Sequence, residues 1–352
     1  MMYSPNKDAL NTSLLTDSDT NTVYFSNWLP KECPNLYKNL NQILNDNSVE
    51  CRLLKNTNDI WCRDFMPIQT GDNHFVSYKY LPNYLNNPDD KKYITDVHKV
   101  GNIDFMSEHG NVVDLDLIID GGNIVKCGNK IVMTEKVFVE NCNLSHDKIR
   151  QMLTDAFQCE IVFIPWDYMH EKYGHSDGVI HYLGGDRVLM TNYEQFDVDM
   201  AYKFRRTLEE HFELINLCYD VENLNDNSWA YINYLQIGKL VLVPQLGIPE
   251  DQQALKQISA LLPECKVIGV ADAMEAVSKG GALNCISWNV RTQSVIQKFR
   301  DEYNKLAHKV VKEQQKTPSS LEEVLTQIAT TQGISPEEYI KEMKRKNKKR
   351  KQ

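Results

Sequence analysis

The sequence lacks the features that would assign it to a membrane, secreted or disulfide-rich class. No apolar run approaches the ~20 residues that a membrane-spanning helix needs. The start of the chain is too polar for a signal peptide, so we expect a cytoplasmic protein without a membrane partner. Its nine cysteines are scattered and never spaced Cys-x-x-Cys, which argues against a disulfide framework and a structural zinc site.

Glycine and proline are also sparse, at 16 and 12 of 352 residues. With 42% hydrophobic and 25% charged residues, the composition is that of an ordinary folded protein rather than a disordered or fibrous one. The length fits about two domains of ~150 residues each, or one large α/β domain.

Charge is unevenly distributed along the chain. The net charge is -9, and a basic end contributes +7, which leaves -16 for the rest. An acidic body favours the approach of cationic ligands. No aromatic residue that could stack on bases lies within 341–352, so nucleic acid is not an expected partner. The cations of the basic end are Lys344, Arg345, Lys346, Lys348, Lys349, Arg350 and Lys351.

Short apolar runs alternate with amphipathic stretches, which predicts an α/β or α+β protein. The pattern opens with a strand at 22–26, a helix at 29–44 and a strand at 49–54. Further helices are predicted at 144–157, 198–211 and 249–261, and further strands at 74–78, 117–119, 130–134, 161–164, 188–191, 239–243 and 267–270.

A domain boundary is predicted after residue 290. Apolar residues recur every three or four positions from Thr292 to Gln315, which predicts a long helix. Two further helices are predicted from a capping pattern at Ser320 and from Ser335 followed by proline. Self-association or docking of an anionic partner are the roles left open for this extension. The predicted divisions are a flexible N-terminus at 1–21, a main domain at 22–291, a helical extension at 292–343 and a disordered basic tail at 344–352.

Four short segments combine residue types that suit covalent chemistry. Cys285 follows two glycines, Asp64 follows an arginine, and Asp120 precedes two glycines. His175 and Asp177 are two positions apart and would share one face of an extended segment. Each segment alone has a structural explanation, such as a buried free thiol or a turn. Together, a nucleophilic thiol, a proton-transferring imidazole and cation-binding carboxylates favour chemistry on a guanidinium group.

A metal site is the rival interpretation of the histidines. His170, His175, Asp177 and His181 are residue types that bind zinc or iron. Their spacing matches neither His-Glu-x-x-His nor a facial triad, so no metal is expected. A metallohydrolase would instead contain stoichiometric metal and be inhibited by chelators.

In order and spacing, the four segments resemble the bacterial-type peptidylarginine deiminase family, which includes the agmatine deiminases. The resemblance covers roughly residues 22 to 290 and extends to Trp229-Ala-Tyr-Ile-Asn-Tyr234, Val243-Pro244 and Asp251. The segments that carry it are Trp61-Cys-Arg-Asp64, Asp120-Gly-Gly-Asn123, Gly174-His-Ser-Asp177 and Gly281-Ala-Leu-Asn-Cys285.

The resemblance implies the pentein fold, an α/β propeller of about five strand-and-helix units with pseudo-fivefold symmetry around a central site. It implies no metal and no organic cofactor. Cys285 would be the nucleophile, His175 the general acid and base, and Asp64 and Asp177 the carboxylates that hold the guanidinium. Asp120, Trp61 and Asn123 are the further residues implied in substrate binding, and Asp120 could instead serve the geometry of the site.

The expected reaction is therefore hydrolysis of a guanidinium to a ureido group and ammonia through a covalent thiouronium intermediate. Agmatine, giving N-carbamoylputrescine, or a related small guanidine ranks first, and arginine or peptidyl-arginine second. The same residues would also suit an amidinotransferase, or a non-catalytic guanidine-binding or scaffold protein. The chain departs from agmatine deiminases at Met66, Asp120 and Asn284, where glycine, glutamate and histidine are usual.

Overall fold

The structure is a computed structural model that describes residues 13–103, 106, 110–292, 321–331 and 333–349. The chain divides into two compact units, Met1–Thr292 and Gln293–Gln352. This division lies beside the boundary predicted at residues 291 and 292. The functional residues predicted from the sequence all belong to the first unit.

Fifteen strands form the sheets of the first unit within the described residues. They account for every strand predicted from the apolar, β-branched runs of the sequence. In chain order they are β1 Thr22–Ser26, β2 Glu50–Leu54, β3 Ile68–Gly71, β4 His74–Lys79, β5 Asn111–Ile118, β6 Val125–Cys127, β7 Lys130–Thr134, β8 Glu160–Ile164, β9 Ile180–Gly184, β10 Arg187–Met190, β11 Glu213–Asn216, β12 Leu235–Ile237, β13 Leu240–Pro244, β14 Lys266–Val270 and β15 Ser287–Val290.

These strands make five separate three-stranded sheets with one shared pairing pattern. The middle strand of each sheet pairs antiparallel with one neighbour and parallel with the other. A parallel pair needs a crossover connection, which explains the long helical or looped segment after each middle strand. The sheets are β15-β1-β2, β3-β4-β5, β6-β7-β8, β9-β10-β11 and β12-β13-β14.

Amphipathic helices occupy most of the crossovers, and those predicted near 144–157, 198–211 and 249–261 are confirmed. The helix predicted over 29–44 is interrupted, because Pro34 opens a second helix at a position that needs no N–H donor. Within the described residues, the α-helices of this unit are, in chain order, α1 Leu29–Glu32, α2 Pro34–Asp46, α3 Cys62–Phe65, α4 Lys136–Glu140, α5 His146–Phe157, α6 Tyr193–Phe196, α7 Val198–Leu208, α8 Glu250–Leu261 and α9 Met274–Val277.

The first sheet joins the two ends of the unit. Strand β15 pairs antiparallel with β1, in a register that sets Val290 opposite Thr22 and Ser287 opposite Phe25. All five residues of β1 are buried, so burial strongly specifies this register. The pairing holds Cys285, two residues before β15, against the beginning of the unit.

The N-terminal segment is more ordered than predicted. Leu14 and Leu15 are buried, and their N–H groups donate to the carbonyls of Gly128 and Thr70 at 2.8 and 3.0 Å. The prediction of a flexible segment at 1–21 is therefore wrong for residues 13–21, because these buried residues and backbone hydrogen bonds attach them to two sheets. Residues 1–12 lie outside the described residues.

The second unit contains the two short helices predicted from the sequence, α10 at Leu321–Thr331 and α11 at Pro336–Lys349. The N–H of Ile334 donates to the carbonyl of Ala329 at 2.9 Å in the turn between them. Helix α11 continues to Lys349, so the disordered tail predicted from residue 344 begins too early. The long helix predicted at 292–315 lies almost wholly outside the described residues.

No helix among the described residues combines the length and the apolar composition that crossing a bilayer requires.

Candidate active site

The candidate site is built from helical turns that follow the third strand of successive sheets. Each turn leads into the first strand of the next sheet, so it holds short polar side chains at a strand end. Neighbouring turns contact one another. Four of these turns are α3 and the 3-10 helices Gly121–Asn123, Ser176–Gly178 and Ser228–Ile232.

Hydrogen bonds connect a fifth turn, before β15, to its neighbours on both sides. The N–H of Asn284 donates to the carbonyl of Asn233 at 3.0 Å, and the N–H of Cys285 donates to Asn233 Oδ1 at 3.1 Å. The N–H of Arg63 donates to the carbonyl of Cys285 at 3.2 Å. The backbone of the predicted nucleophile is therefore fixed by residues of two other turns.

His175 lies between two carboxylates. Its Nε2 is 3.0 Å from Asp120 Oδ2, and its Nδ1 is 3.6 Å from Asp64 Oδ1. An extended conformation was one of two possibilities for this segment, and the structure instead has a 3-10 turn at Ser176–Gly178 with His175 as its N-cap. The turn still brings His175 and Asp177 to the same site, since both are buried among the other predicted residues.

The carboxylates keep the imidazole cationic at neutral pH. Burial alone would lower the pKa of His175, but Asp64 and the hydrogen-bonded Asp120 outweigh it and raise the pKa to about 9. Burial raises the pKa of Asp64 to about 7, against the opposing effect of His175. The site can therefore supply a proton from His175 while Asp64 accepts a cation above about pH 7.

Asp177 is held beside the thiol by Asn284. The Asn284 amide donates to Asp177 Oδ2 at 2.7 Å and accepts from Arg63 Nη2 at 2.8 Å. The Cys285 thiol donates to the same Asp177 oxygen at 3.8 Å. Asp177 Oδ1 is buried and has no hydrogen-bond partner among the described residues, which leaves it free to accept from a ligand.

The resting thiol is protonated. Burial raises the pKa of Cys285 well above its usual value, and the charges of Asp177 and Asp64 raise it further. Little of such a thiol is in the nucleophilic thiolate form until a positive charge lies beside it. A cationic substrate would supply that charge.

A cavity of about 710 Å³ gives access to three of these groups but is not lined by Asp177. Asp64, His175 and Cys285 line it together with Tyr84 and Tyr173, whose rings lie 5.0 Å apart, edge to face. The aromatic rings form an apolar wall beside the charged groups. This combination suits a ligand with a cationic planar head and a hydrocarbon chain.

Two glycines permit close packing around the reactive groups. A Cβ at Gly122 would lie 2.6 Å from His175 Nδ1 and 2.7 Å from Asp64 Oδ1, so this position needs glycine for close approach. A Cβ at Gly281 would clash with the ring of Trp61. The Gly122 N–H also donates to Asp64 Oδ1 at 3.1 Å.

The remaining predicted binding residues differ in whether they line the cavity. Trp61 lines the cavity. Asn123 does not line it, because its Oδ1 accepts from the Thr134 N–H at 2.7 Å in a buried turn. Asp120 lies behind His175 rather than on the cavity wall, which favours its predicted role in site geometry.

Lys136 is the site residue that sequence reasoning missed. Its side chain is fully buried, and its ammonium group pairs with Asp120 and with Glu140. In the sequence Lys136 and Glu140 form an i,i+4 pair, a pattern typical of an exposed salt bridge on a helix. The one signal that the sequence offered was the position of Lys136 just after the buried strand β7.

The rival metal set is not brought together. His175 pairs with carboxylates, whereas His181 stacks on Tyr234 at 3.6 Å between ring centroids. His170 lies near Asp167 and Asp197 instead, the one group of three candidate ligand residues within the described part of the chain. That group contains none of the other three residues of the rival set.

A family profile described as Porphyromonas-type peptidyl-arginine deiminase matches residues 31–290, which is most of the chain. The chain belongs to this family. The match includes every residue proposed for the deiminase site, from Trp61 to Cys285.

Two bacterial relatives carry the provisional name agmatine deiminase. A provisionally named agmatine deiminase 2 of Listeria monocytogenes is 24% identical over 314 residues, which cover 75% of this chain and 82% of that protein. A provisionally named agmatine deiminase of Enterococcus faecalis is 25% identical over 208 residues, which cover 49% of this chain and 57% of that protein.

Solved structures support the α/β fold of the deiminase. The C. jejuni agmatine deiminase superposes with a TM-score of 0.63 and 18% identity, over 80% of this chain and 96% of that chain. An amidinotransferase of Microseira wollei from the saxitoxin biosynthetic pathway superposes with a TM-score of 0.51 and 14% identity, over 82% of this chain and 99% of that chain. At these identities, the likeness establishes the fold alone.

Proposed function

We propose that the chain is a cysteine-dependent deiminase that hydrolyses a guanidinium group to a ureido group and ammonia. Family membership makes it an enzyme of the deiminase type, a hydrolase of C–N bonds. The single observation that carries the proposal is one buried cluster of Asp64, Asp177, His175 and the Cys285 thiol, of which Asp64, His175 and Cys285 line the cavity.

The proposal assigns the two carboxylates to the substrate. A planar guanidinium carries N–H donors on both sides, and Asp177 Oδ1 is a buried acceptor without a partner among the described residues. Asp64 accepts from the Gly122 N–H and retains further acceptor capacity on the cavity side. Two carboxylates would fix the head group so that its central carbon meets the thiol.

Binding of the cation activates the nucleophile. The thiol loses its proton to solvent when the positive head group enters, because that charge offsets Asp64 and Asp177. The Cys285 thiolate then adds to the guanidinium carbon and forms a C–S bond. His175 gives its proton to the departing amino group, so that ammonia leaves and a thiouronium remains bound to the sulfur.

Hydrolysis completes the cycle. His175, now neutral, takes a proton from water while the resulting hydroxide adds to the thiouronium carbon. The C–S bond breaks with its electron pair on sulfur, the proton of the added hydroxyl passes to that thiolate, and the ureido product leaves with His175 again protonated. Asp120, bonded to His175 Nε2, would hold the ring in one orientation during both proton transfers.

We infer that the five sheets surround this site as a pentein propeller with pseudo-fivefold symmetry. Their identical pairing pattern and the contacts between successive site turns support this arrangement. In such an arrangement each unit contributes one turn to a common centre.

Agmatine or a related small guanidine is the first substrate candidate, because the two relatives compared above are provisionally named agmatine deiminases. Asp59 and Asp90 also line the cavity and could accept a distal ammonium group. Arginine is the second candidate, because Lys92 and Lys172 line the same cavity, lie over tyrosine rings, and pair with no carboxylate among the described residues. These lysines could bind an α-carboxylate.

The test is turnover by the purified chain with agmatine, arginine and an arginyl peptide in separate reactions. Ureido product and ammonia are both measured, with Cys285→Ala as the inactive variant. Cys142→Ala is the matched control, because that exposed thiol lies outside the cavity. We expect agmatine turnover that depends on Cys285 and not on Cys142.

The competing functions give different results. An amidinotransferase would form ureido product slowly and transfer the amidino group to an added amine. A guanidine-binding or scaffold protein would bind agmatine without ammonia release, in wild type and Cys285→Ala alike. Either outcome would overturn the proposed hydrolysis.

A further inference from the structure

Lys136 is a buried cation at the back of the candidate site. Its side chain has 0% exposure, and its Nζ hydrogen-bonds Asp120 Oδ2 and lies 3.2 Å from Glu140 Oε1. The ring of Tyr84, a cavity wall residue, lies 4.9 Å from the same ammonium group. A buried ammonium group is unfavourable unless it is paired, so these contacts determine where it can lie.

One carboxylate oxygen connects this cation to the imidazole. Asp120 Oδ2 accepts from Lys136 Nζ and also lies 3.0 Å from His175 Nε2. The second Asp120 oxygen is buried and has no partner among the described residues. Lys136 therefore determines which Asp120 oxygen faces the histidine and holds it there.

The same cation is linked to the cavity wall. Glu140 Oε1 accepts from the Asn83 N–H at 3.2 Å, and Asn83 begins the 3-10 turn Asn83–Leu85 that carries Tyr84. The Tyr84 ring meets the His175 ring with centroids 6.2 Å apart. Lys136 thus lies between the wall segment and the catalytic pair.

We propose that Lys136 is a positioning residue of this deiminase, which keeps Asp120 ionised and fixed on His175 Nε2 so that His175 can act as the general acid. The inference rests on the proposed function, because it concerns the same proton transfers. It adds a residue of the helix α4 to a site otherwise built from the turns.

The charged groups around His175 determine whether its pKa rises or falls when Lys136 is replaced. Burial would raise the pKa of Asp120, and Lys136 is the strongest of the groups that lower it. Without that cation the pKa of Asp120 rises, and a protonated Asp120 no longer favours the imidazolium. The groups that face His175 are Asp64, Asp120, Asp177, Tyr84 and Tyr173, with Lys136 behind Asp120.

Removal of Lys136 also removes a direct repulsion from His175, which acts in the opposite direction. That repulsion affects the pKa of His175 less than Asp64 or Asp120 does, because Lys136 contacts Asp120 and not the ring. The change at Asp120 therefore outweighs it. The pKa of His175 should fall when Lys136 loses its charge.

The experiment compares Lys136→Met with wild type and with Lys126→Met. Lys126 is another buried lysine, whose Nζ donates to the Gln69 carbonyl at 3.1 Å and which does not line the candidate active-site cavity. In Lys136→Met we expect kcat to fall at least about tenfold with KM changed less than about threefold. The alkaline limb of the pH profile should move to lower pH. Lys126→Met should alter neither quantity.

A measurement without turnover separates this inference from the proposed function. The imidazole of His175 is titrated by NMR in histidine-labelled protein, with its signal assigned by loss in His175→Gln. A lower His175 pKa in Lys136→Met supports the inference even if none of the substrates is turned over. An unchanged pKa and an unchanged kcat in folded Lys136→Met overturn it.

A second variant covers the case in which Lys136→Met fails to fold. Asp120→Asn combined with Lys136→Met removes both charges together and leaves no unpaired ion of this pair. We expect this protein to fold and to show the same fall in the His175 pKa. A wild-type His175 pKa in the double variant would overturn the inference.

Discussion

The pH dependence of the deiminase follows from two buried groups in direct electrostatic contact. Asp64, with a pKa raised to about 7, must be ionised to hold a guanidinium. His175, with a pKa raised to about 9, must be protonated to release ammonia. The free-enzyme profile of kcat/KM should therefore be a bell with an acid limb near 7 and an alkaline limb near 9.

The size of the effect can be worked from these two limbs. For independent groups the optimum lies midway, at about pH 8, and kcat/KM at about pH 6 or pH 10 is roughly ninefold below that optimum. An ordinary aspartate and histidine would instead give a plateau between about pH 4 and 6.5. Between pH 6 and pH 8, kcat/KM should rise with the shifted pKa values and fall with the ordinary ones. The direction of this change distinguishes the two cases without a precise pKa.

The assay is initial-rate turnover at low substrate concentration from pH 5 to 10, in buffers of constant ionic strength. Asp64→Asn tests the assignment, because it removes the acid limb and also the strongest group that raises the pKa of His175. Its alkaline limb should lie at lower pH than that of wild type, with kcat/KM much reduced. A wild-type profile that rises towards pH 6, or an Asp64→Asn profile with the same alkaline limb, would refute the reasoning.

Three further outcomes are expected. Gly122→Ala should lower kcat/KM at least about a hundredfold without loss of fold, because its Cβ would displace His175 or Asp64. The control Gly178→Ala, whose Cβ has nothing within 4 Å, should match wild type in turnover and in circular dichroism. Asn284→Ala should raise KM about tenfold, measured by steady-state kinetics, because Asp177 loses its amide donor. A chain ending at Thr292 should keep wild-type kcat and cooperative thermal unfolding, since every site group belongs to the first unit.

The sequence was most informative where chemistry and spacing coincide. The structure brings four residues of the motifs together, because each follows a strand that the apolar residues of that strand already predict. These residues are Cys285, His175, Asp64 and Asp177. The motifs say nothing of backbone conformation at those positions. Glycines at 174 and 178 bound the segment of His175, and the chain there turns instead of extending.

Buried charge is the part of the site that local sequence could not reveal. An i,i+4 pair such as Lys136 and Glu140 is normally solvated, and only the tertiary fold shows that Asp120 makes burial of this lysine tolerable. Asn123 shows the converse, because its amide serves a backbone turn and not a ligand. Both errors arise from partners that are in direct contact in the fold but lie 16 and 11 residues away along the chain, outside any short motif.

Charge balance links these residues to the proposed chemistry. The carboxylates of Asp64, Asp120, Asp177 and Glu140 lie among three cations: Arg63, Lys136 and His175, whose raised pKa keeps it protonated at neutral pH. A guanidinium that enters this buried cluster adds one positive charge, and ionisation of the Cys285 thiol offsets that charge. In a low-dielectric site the two events favour each other. The raised pKa of the Cys285 thiol thus keeps it protonated and unreactive until a substrate of the correct charge is bound.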